Sequence, residues 1–379
     1  MNILIAPDSF KESLTAMEVA SSLKRGLAKV NSSFNIKLLP MADGGEGTVK
    51  SLVNATNGKI FTKMVTGPLG NEVEAFFGML GDKKTAVIEM AAASGLPLVP
   101  EDKRDPTKTT TYGTGELIKE ALNKGSSKII IGIGGSATTD CGIGMAQALG
   151  AKFLDKSGNE VGFGGENLIK IQHIDLSELD KRLNNIEIQV ACDVDNPLYG
   201  KDGAAYVYGP QKGASKKDVK KLDKGLRHIA RVIENDLNKK IANVPGAGAA
   251  GGLGAGLLAF LNAVLKPGID IVIEASKIKE KMNDIDLVIT GEGKLDAQTV
   301  AGKTPVGVAR VARDKNIPVI AIAGTLGENA KNVYDHGIDT FFSIINSPLK
   351  LDEALDKSSE LLEDFGENLG RLINIFYKF

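Results

Sequence analysis

Histidine and cysteine are scarce in this chain. Three histidines, His173, His228 and His336, lie far apart among its 379 residues. That argues against a His-rich zinc site and against chemistry needing several imidazoles. Two cysteines, Cys141 and Cys192, cannot make a disulfide scaffold. Charge of one sign is lacking too: 46 Lys and Arg against 47 Asp and Glu leave a net charge of −1. Such balance argues against a broad basic field for nucleic acid. No apolar run approaches the roughly 20 residues of a membrane helix. The opening Met1-Asn2-Ile3-Leu4-Ile5-Ala6 has no basic stretch before an apolar one and reads directly as a strand. No signal peptide is evident, and the expected compartment is the cytoplasm.

What is present is an ordinary soluble mixture, 42% hydrophobic and 25% charged, with an excess of glycine. Glycine supplies 44 of 379 residues, about 12%, against an average of about 7%. With no G-X-Y period, the excess belongs in turns and in loops where backbone approaches a ligand.

Strand and helix patterns alternate, which predicts α/β architecture. Ile3–Ala6 reads as a strand buried on both faces, followed by a helix from Ser13 or Thr15 to about Val30. Strands are expected at Ile36–Leu39, Lys128–Ile133, Ile186–Ala191, Asp286–Thr290, Pro318–Ala323 and Thr340–Ile345. Glu72–Leu80 and Thr85–Met90 read as a hairpin, and a second hairpin-like stretch starts at Phe153 with its turn at Lys156–Asn159. Lys216–Ile241 is an amphipathic helix with Val219, Leu222, Leu226, Ile229 and Ile233 on one face and lysines on the solvated side. Gly251–Leu265 reads as a Gly/Ala-rich helix. The expected organisation is a doubly wound (Rossmann- or flavodoxin-like) parallel-sheet domain of discontinuous pieces, 1–60, 110–150 and 280–379. A second α/β domain with a mixed sheet, 61–109 and 151–279, is inserted in it, and an active-site cleft is expected between the two.

In a doubly wound sheet, ligands bind beyond the carboxyl ends of the strands. Five segments follow predicted strands of the first domain: Pro7–Lys11, Met41–Thr48, Gly134–Asp140, Gly291–Asp296 and Gly324–Glu328. Nearly all are rich in glycine, carboxylates or hydroxyls. One such loop is weak evidence, but five on one edge exceed what turn-making needs. Their inventory of backbone amides, hydroxyls, lysines and carboxylates matches a phosphoryl-transfer site. Gly-rich backbone cradles phosphate, Mg²⁺ needs only one or two carboxylates besides phosphate and water, and a carboxylate can take the proton of an attacking hydroxyl.

Three near-matches compete with that reading. Gly132-Ile133-Gly134-Gly135-Ser136-Ala137 fits a dinucleotide fingerprint but is not on the first strand of a βαβ unit. Gly246-Ala247-Gly248-Ala249-Ala250-Gly251 fits the same pattern with no clear strand before it, which favours close helix packing, with a phosphate cradle as the alternative. Gly302-Lys303-Thr304 resembles the end of a P-loop, yet Ala297 stands where the first glycine belongs. Cys192 is read as structural. Asp193 and Asp195, after a strand of the second domain, are candidates to face a ligand.

Together the loops resemble glycerate kinases of the bacterial type I family. The resemblance rests on Asp8–Lys11, Ala42–Thr48, Gly132–Thr138, Ala191–Val194 with Asn196-Pro197-Leu198, Gly209–Ala214, Gly246–Gly254, and Thr290–Asp296 continuing to Ala309. It covers almost the whole chain. It implies a two-domain enzyme that phosphorylates glycerate with ATP and Mg²⁺, generally to 2-phosphoglycerate, with no nucleic-acid or membrane partner and compatible with a homodimer. Glu12 and Cys141 stand where the family usually has glycine, and Thr139 where it usually has asparagine. Physical reasoning then assigns roles. Asp296 is the first choice for general base, with Lys294 and Asp43 beside it in the chemistry. Ser9, Lys11, Asp193 and Lys303 are candidates for glycerate, Gly134, Gly135, Ser136 and Thr138 for phosphate, and Glu292 and Glu46 for the metal. The alternatives are a nicotinamide-dependent dehydrogenase of a small hydroxy acid and a non-enzymatic two-domain binding protein for a small acid.

Overall fold

The structure, a computed structural model, describes residues 1–376. In chain order its strands are β1 (Asn2–Pro7), β2 (Asn35–Leu38), β3 (Lys59–Thr66), β4 (Glu72–Met79), β5 (Thr85–Glu89), β6 (Lys128–Gly132), β7 (Lys152–Leu154), β8 (His173–Asp175), β9 (Glu187–Ala191), β10 (Val264–Lys266), β11 (Leu287–Leu295), β12 (Val319–Leu326) and β13 (Thr340–Ser343). The chain divides into two compact units. The first holds Met1–Asp43, Lys50–Asn57 and the chain from Ile269 on; the second holds Gly44–Val49 and Gly58–Gly268.

The first unit is built on a parallel sheet of order β13-β12-β11-β1-β2. Its strands carry continuous apolar runs because a parallel sheet is covered on both faces. The helix Ala16–Val30 starts at a capping box in which Thr15 and Glu18 satisfy each other's backbone amides. It buries Val19, Leu23 and Leu27 in one core with Ile3, Ile5, Ile289 and with Leu362 and Leu369 of the helix Ser358–Phe376. From β1 the chain steps outward to β2, and from β11 it steps the opposite way to β12 and β13. The topological switch point, where doubly wound sheets hold ligands, therefore lies between β1 and β11.

The segments after Thr290 and Ala323, expected as loops, are extended strand instead. β11 and β12 run on in register, Glu292 opposite Ala323 and Lys294 opposite Thr325. Gly291 makes this feasible: a Cβ there would lie 2.4 Å from the Ile322 carbonyl oxygen, so only glycine permits the close strand approach.

The second unit carries a mixed six-stranded sheet, β10-β9-β6-β5-β4-β3, in which β3–β4 and β4–β5 are antiparallel and the other pairs parallel. The hairpin expected at 72–90 is β4–β5. β6, expected in the first domain, lies instead between β5 and β9, so the segment 110–150 belongs to this unit. The run Ile129-Ile130-Ile131 says that the strand is covered on both faces but not which strands flank it. The turn at 156–159 forms, with Asp155 Oδ1 accepting the Ser157 and Asn159 amides; Leu154 bridges Glu160 across it, and β7 pairs on its other side with β8. The helix Lys216–Leu237 buries all five expected apolar residues and starts at a Ser215–Asp218 capping box. The Gly/Ala-rich helix spans Ala249–Leu261, and β10 takes the place of its expected last turn. At its start Ala250, Gly251 and Gly252 are left-handed. Gly251 is pressed so close that a Cβ would stand 1.9 Å from the Thr138 carbonyl oxygen, which is the close packing that its small residues favour. No helix among the described residues is long and apolar enough to cross a membrane.

Candidate active site

Carboxylates gather at the switch point of the first unit. Asp8 follows β1 directly, and its amide donates to the Gly291 carbonyl of β11 at 2.8 Å. Its Oδ2 accepts the Thr304 hydroxyl at 2.5 Å, and its Oδ1 accepts the Ser9 amide at 2.6 Å and the Ser9 hydroxyl at 3.2 Å. On β11, Glu292 Oε1 accepts the Thr299 hydroxyl at 2.5 Å, and its Oε2 lies 3.4 Å from Lys303 Nζ. Asp43 completes the group: its negative charge acts on both Asp8 and Glu292. Burial, and then the Asp43 charge, push the Asp8 carboxyl up to about 7 against the hydrogen bonds of Thr304 and Ser9. Burial likewise raises Glu292, opposed by Thr299 and Lys303.

Asp296 behaves differently. Its Oδ1 accepts the Gln298 amide at 2.9 Å, its Oδ2 lies 3.2 Å from Lys294 Nζ, and its own amide donates to the Thr299 hydroxyl at 3.0 Å. Against a desolvation cost, the Gln298 amide and the Lys294 and Lys303 cations hold its carboxyl below the usual range. Asp296 thus pins the turn leading into Thr299–Ala301. A carboxylate lowered in this way takes up a proton less readily than an ordinary one, whereas Asp8 takes it up more readily. Lys294 and Asp296 line an open depression of about 720 Å³ with Gln298, Leu326 and Glu328.

Of the other residues expected in this unit, Ser9 hydrogen-bonds to Asp8, and Lys303, the residue preceding the helix Thr304–Arg313, turns its side chain to Glu292. Lys11 is exposed in the turn after Phe10. The P-loop likeness at 302–304 is not borne out, because a short turn rather than a strand leads into Gly302.

In the second unit, the loop leaving β6 splits the expected phosphate set. Gly134 and Gly135 are exposed, while Ser136 and Thr138 are buried. The next helix starts only at Ile143, so the tight strand-to-helix turn of a dinucleotide fingerprint is not formed here. Lys212, only 2% exposed, donates to Ser136 Oγ and to the Thr138 carbonyl, both at 2.7 Å. Burial lowers its ammonium to about 7, opposed by the charge of Asp140. Asp140 is itself buried, with its Oδ2 accepting the Thr111 amide and hydroxyl, both at 2.8 Å.

Glu46 is exposed on the turn 44–47, where the Gly45 Cα lies 3.8 Å from the place a Gly134 Cβ would take. Asp193 is exposed, and its Oδ1 accepts the Gly268 amide at 2.8 Å. Both cysteines are free thiols raised by burial, which fits structural roles.

Among the described residues, no group of three or more His, Cys, Asp or Glu is placed to hold a metal ion. The donor chemistry still separates the two metal candidates. Glu292 spends both oxygens on Thr299 and Lys303 and fits a metal poorly. Glu46 offers the single exposed carboxylate that suffices when phosphate and water complete the shell.

Sequence reasoning missed Asp8, Thr299, Thr304, Asp140 and Lys212 as site residues. Asp8 carries a usable signal, as the first charged residue beyond the apolar run of β1. Thr299 and Thr304 matter only through their partners. Lys212 sits in a short Gly/Pro-bounded segment that reads as a surface turn.

The profile of the glycerate kinase family matches residues 3–374. The chain is 53% identical over 367 residues to a glycerate kinase of Halalkalibacterium halodurans, covering 97% of each chain. It is 54% identical over 354 residues to a glycerate 2-kinase of Escherichia coli K12, covering 93% of each. A crystal structure of a Salmonella typhimurium LT2 protein, described as a candidate glycerate kinase 2, superposes with a TM-score of 0.92 at 49% identity, covering 100% of both chains.

Proposed function

The chain belongs to the glycerate kinase family, and on that premise we propose that it transfers the γ-phosphoryl group of ATP to the C2 hydroxyl of D-glycerate. The observation that carries the reading is the pair Asp8 and Glu292 on the strands flanking the switch point, with Asp43 from beyond β2 acting on both through its charge. A proton acceptor poised near neutral pH stands there with a lysine beside it, and no imidazole is needed.

Asp8 accepts the hydroxyl proton as the C2 oxygen attacks the γ-phosphorus in line. The bond from phosphorus to the bridging oxygen breaks, and ADP leaves with that electron pair. Thr304 and Ser9 hold the two oxygens of Asp8 in place for this step. Lys303 exchanges Glu292 for the glycerate carboxylate, and Asp43 accepts the C3 hydroxyl. Lys294, exposed at the rim of the depression, meets phosphate oxygens. In the second unit, the Gly134 and Gly135 amides donate to nucleotide phosphate. Mg²⁺, when bound, neutralises the β- and γ-phosphate charge, and Glu46 is the carboxylate suited to hold it. The dehydrogenase reading loses its support with the unformed dinucleotide turn.

The test is a coupled assay with phosphorus NMR of the product. ADP should form only when ATP, Mg²⁺ and D-glycerate are all present, and the product should be an ester on the secondary carbon. ATP hydrolysis independent of glycerate, without any ester, would overturn the proposal. A primary-carbon ester would overturn the assignment to C2.

A further inference from the structure

Lys212 is the least expected charged residue of the second unit. It lies on the short turn Pro210–Lys212, closed by Gly213 with φ +95°. A buried lysine costs several kcal/mol of desolvation unless its donors are well used, and a methionine of similar volume would avoid that cost. Here two donors are used, and both go to the loop that leaves β6: the Ser136 hydroxyl and the Thr138 carbonyl.

The rest of that loop is pinned through its other polar groups. The Gly135 carbonyl accepts the Leu96 amide at 2.8 Å, the Ala137 amide donates to the Ser94 carbonyl at 3.0 Å, and the Ala137 carbonyl accepts the Thr109 hydroxyl at 2.8 Å. The carbonyls of 135, 137 and 138 are thus all taken up within the protein. Among the described residues no acceptor meets the amides of Gly134 or Gly135.

We propose that Lys212 is a positioning residue for nucleotide phosphate: its buried ammonium ties Ser136 and Thr138 together and so sets the direction of the Gly134 and Gly135 amides. The inference rests on the reading of that loop as the phosphate site. Asp140, whose charge acts on Lys212, opposes the fall that burial imposes on its ammonium. Lys212 touches neither nucleotide nor glycerate; it acts through the loop. Its loss therefore weakens ATP selectively, whereas a merely structural lysine would lower stability and leave the ratio of the two Michaelis constants alone.

The experiment is steady-state kinetics on the full chain with ATP and glycerate varied separately, and with the melting temperature of each variant recorded. Lys212→Met should raise KM for ATP about tenfold or more, the scale of one lost hydrogen bond to a charged group, with KM for glycerate little changed. Ser136→Ala keeps the Thr138 bond and removes only the hydroxyl. It should raise KM for ATP in the same direction, by less, with nearly unchanged melting, and it decides the matter should Lys212→Met fail to fold. Gly134→Asp puts a carboxylate on the exposed face of the loop, where there is room for it, and tests the underlying reading. If Gly134→Asp weakens ATP but Ser136→Ala and any folded Lys212→Met leave KM for ATP unchanged, the positioning role is overturned and the phosphate loop stands. If Gly134→Asp also leaves KM for ATP unchanged, the phosphate reading itself is overturned.

Discussion

Asp8 and Thr304, 296 residues apart, meet through a 2.5 Å hydrogen bond from the Thr304 hydroxyl to Asp8 Oδ2. The bond joins the end of β1 to the first residue of the helix Thr304–Arg313. It stabilises the carboxylate form of Asp8, whereas burial, Asp43 and Glu292 favour the protonated form. The balance places Asp8 at about 7, near the pH at which a general base works best.

The first prediction follows from that balance. If Asp8 is the base, kcat/KM rises with pH through about 7 as Asp8 loses its proton. Thr304→Ala removes an interaction that lowers the Asp8 pKa, so the limb should move to higher pH. A pH–rate profile with Thr304→Ala unshifted, or shifted to lower pH, would remove Asp8 from that limb.

A second prediction separates Asp8 from Asp296. Asp8→Asn should lower kcat by roughly 10²–10⁴, the scale of a lost general base. Asp296→Asn keeps an oxygen for the Gln298 amide and gives up only an ion pair whose lysine is exposed, so kcat should fall less than about tenfold, an ion pair at the surface being worth roughly 0–1 kcal/mol. The reverse ranking would return the base to Asp296. Stability adds an independent check. Below 3.8, the ordinary value for Asp, folded and unfolded chains both hold the proton; above about 7 both have lost it, and folding then carries the full penalty of a buried charge. Asp8→Asn should therefore melt higher than the natural chain at pH 8, with the difference vanishing as the pH falls toward 4.

Lys303 provides the third. Its ammonium lies 3.4 Å from Glu292 and is assigned to the glycerate carboxylate. Lys303→Met should raise KM for glycerate by roughly 10–100-fold, the range of a lost hydrogen bond between charged groups, with a smaller effect on KM for ATP. Because Glu292 also loses the cation that opposes its upward shift, its carboxyl should titrate still higher, visible by carbon NMR of labelled glutamate. An unchanged KM for glycerate would place the carboxylate elsewhere.

The fourth concerns the backbone. Glu12 and Cys141, where the family resemblance leads one to expect glycine, are both left-handed, at φ +63° and +55°. Glu12 is exposed, so Glu12→Gly relieves the αL strain, about 1–2 kcal/mol, at the cost of a more flexible unfolded chain, about 0.4–1 kcal/mol. A net gain of roughly 0.5–1 kcal/mol is expected from those two magnitudes in urea unfolding. A loss of stability would show that the Glu12 side chain makes up for its strained backbone. Cys141→Gly offers no such clean gain, because Cys141 is fully buried and its sulfur packs in the core.

The sequence by itself determined what is local. Apolar runs of strand length, the 3.6-residue spacing of Val219, Leu222, Leu226, Ile229 and Ile233, and the capping residue Thr15 each specify an element through neighbours a few residues away. The same locality made the glycine and carboxylate edge legible, since strand ends are visible wherever an apolar run meets Pro7-Asp8 or Thr290-Gly291. Only the tertiary structure decided which strands lie side by side. β6 reads the same whichever sheet receives it, and its place between β5 and β9 comes from pairing partners more than 35 residues away. The difference between the candidate bases arises in the same way. Asp8, Asp43 and Asp296 are equivalent carboxylates in the chain, and what separates Asp8 from Asp296 is the depth of desolvation and the sign of the neighbouring charges, Asp43 and Glu292 for one, Lys294 and Lys303 for the other. Burial and Coulomb interaction depend on distances in space, and those exist only once β1 and β11 have paired.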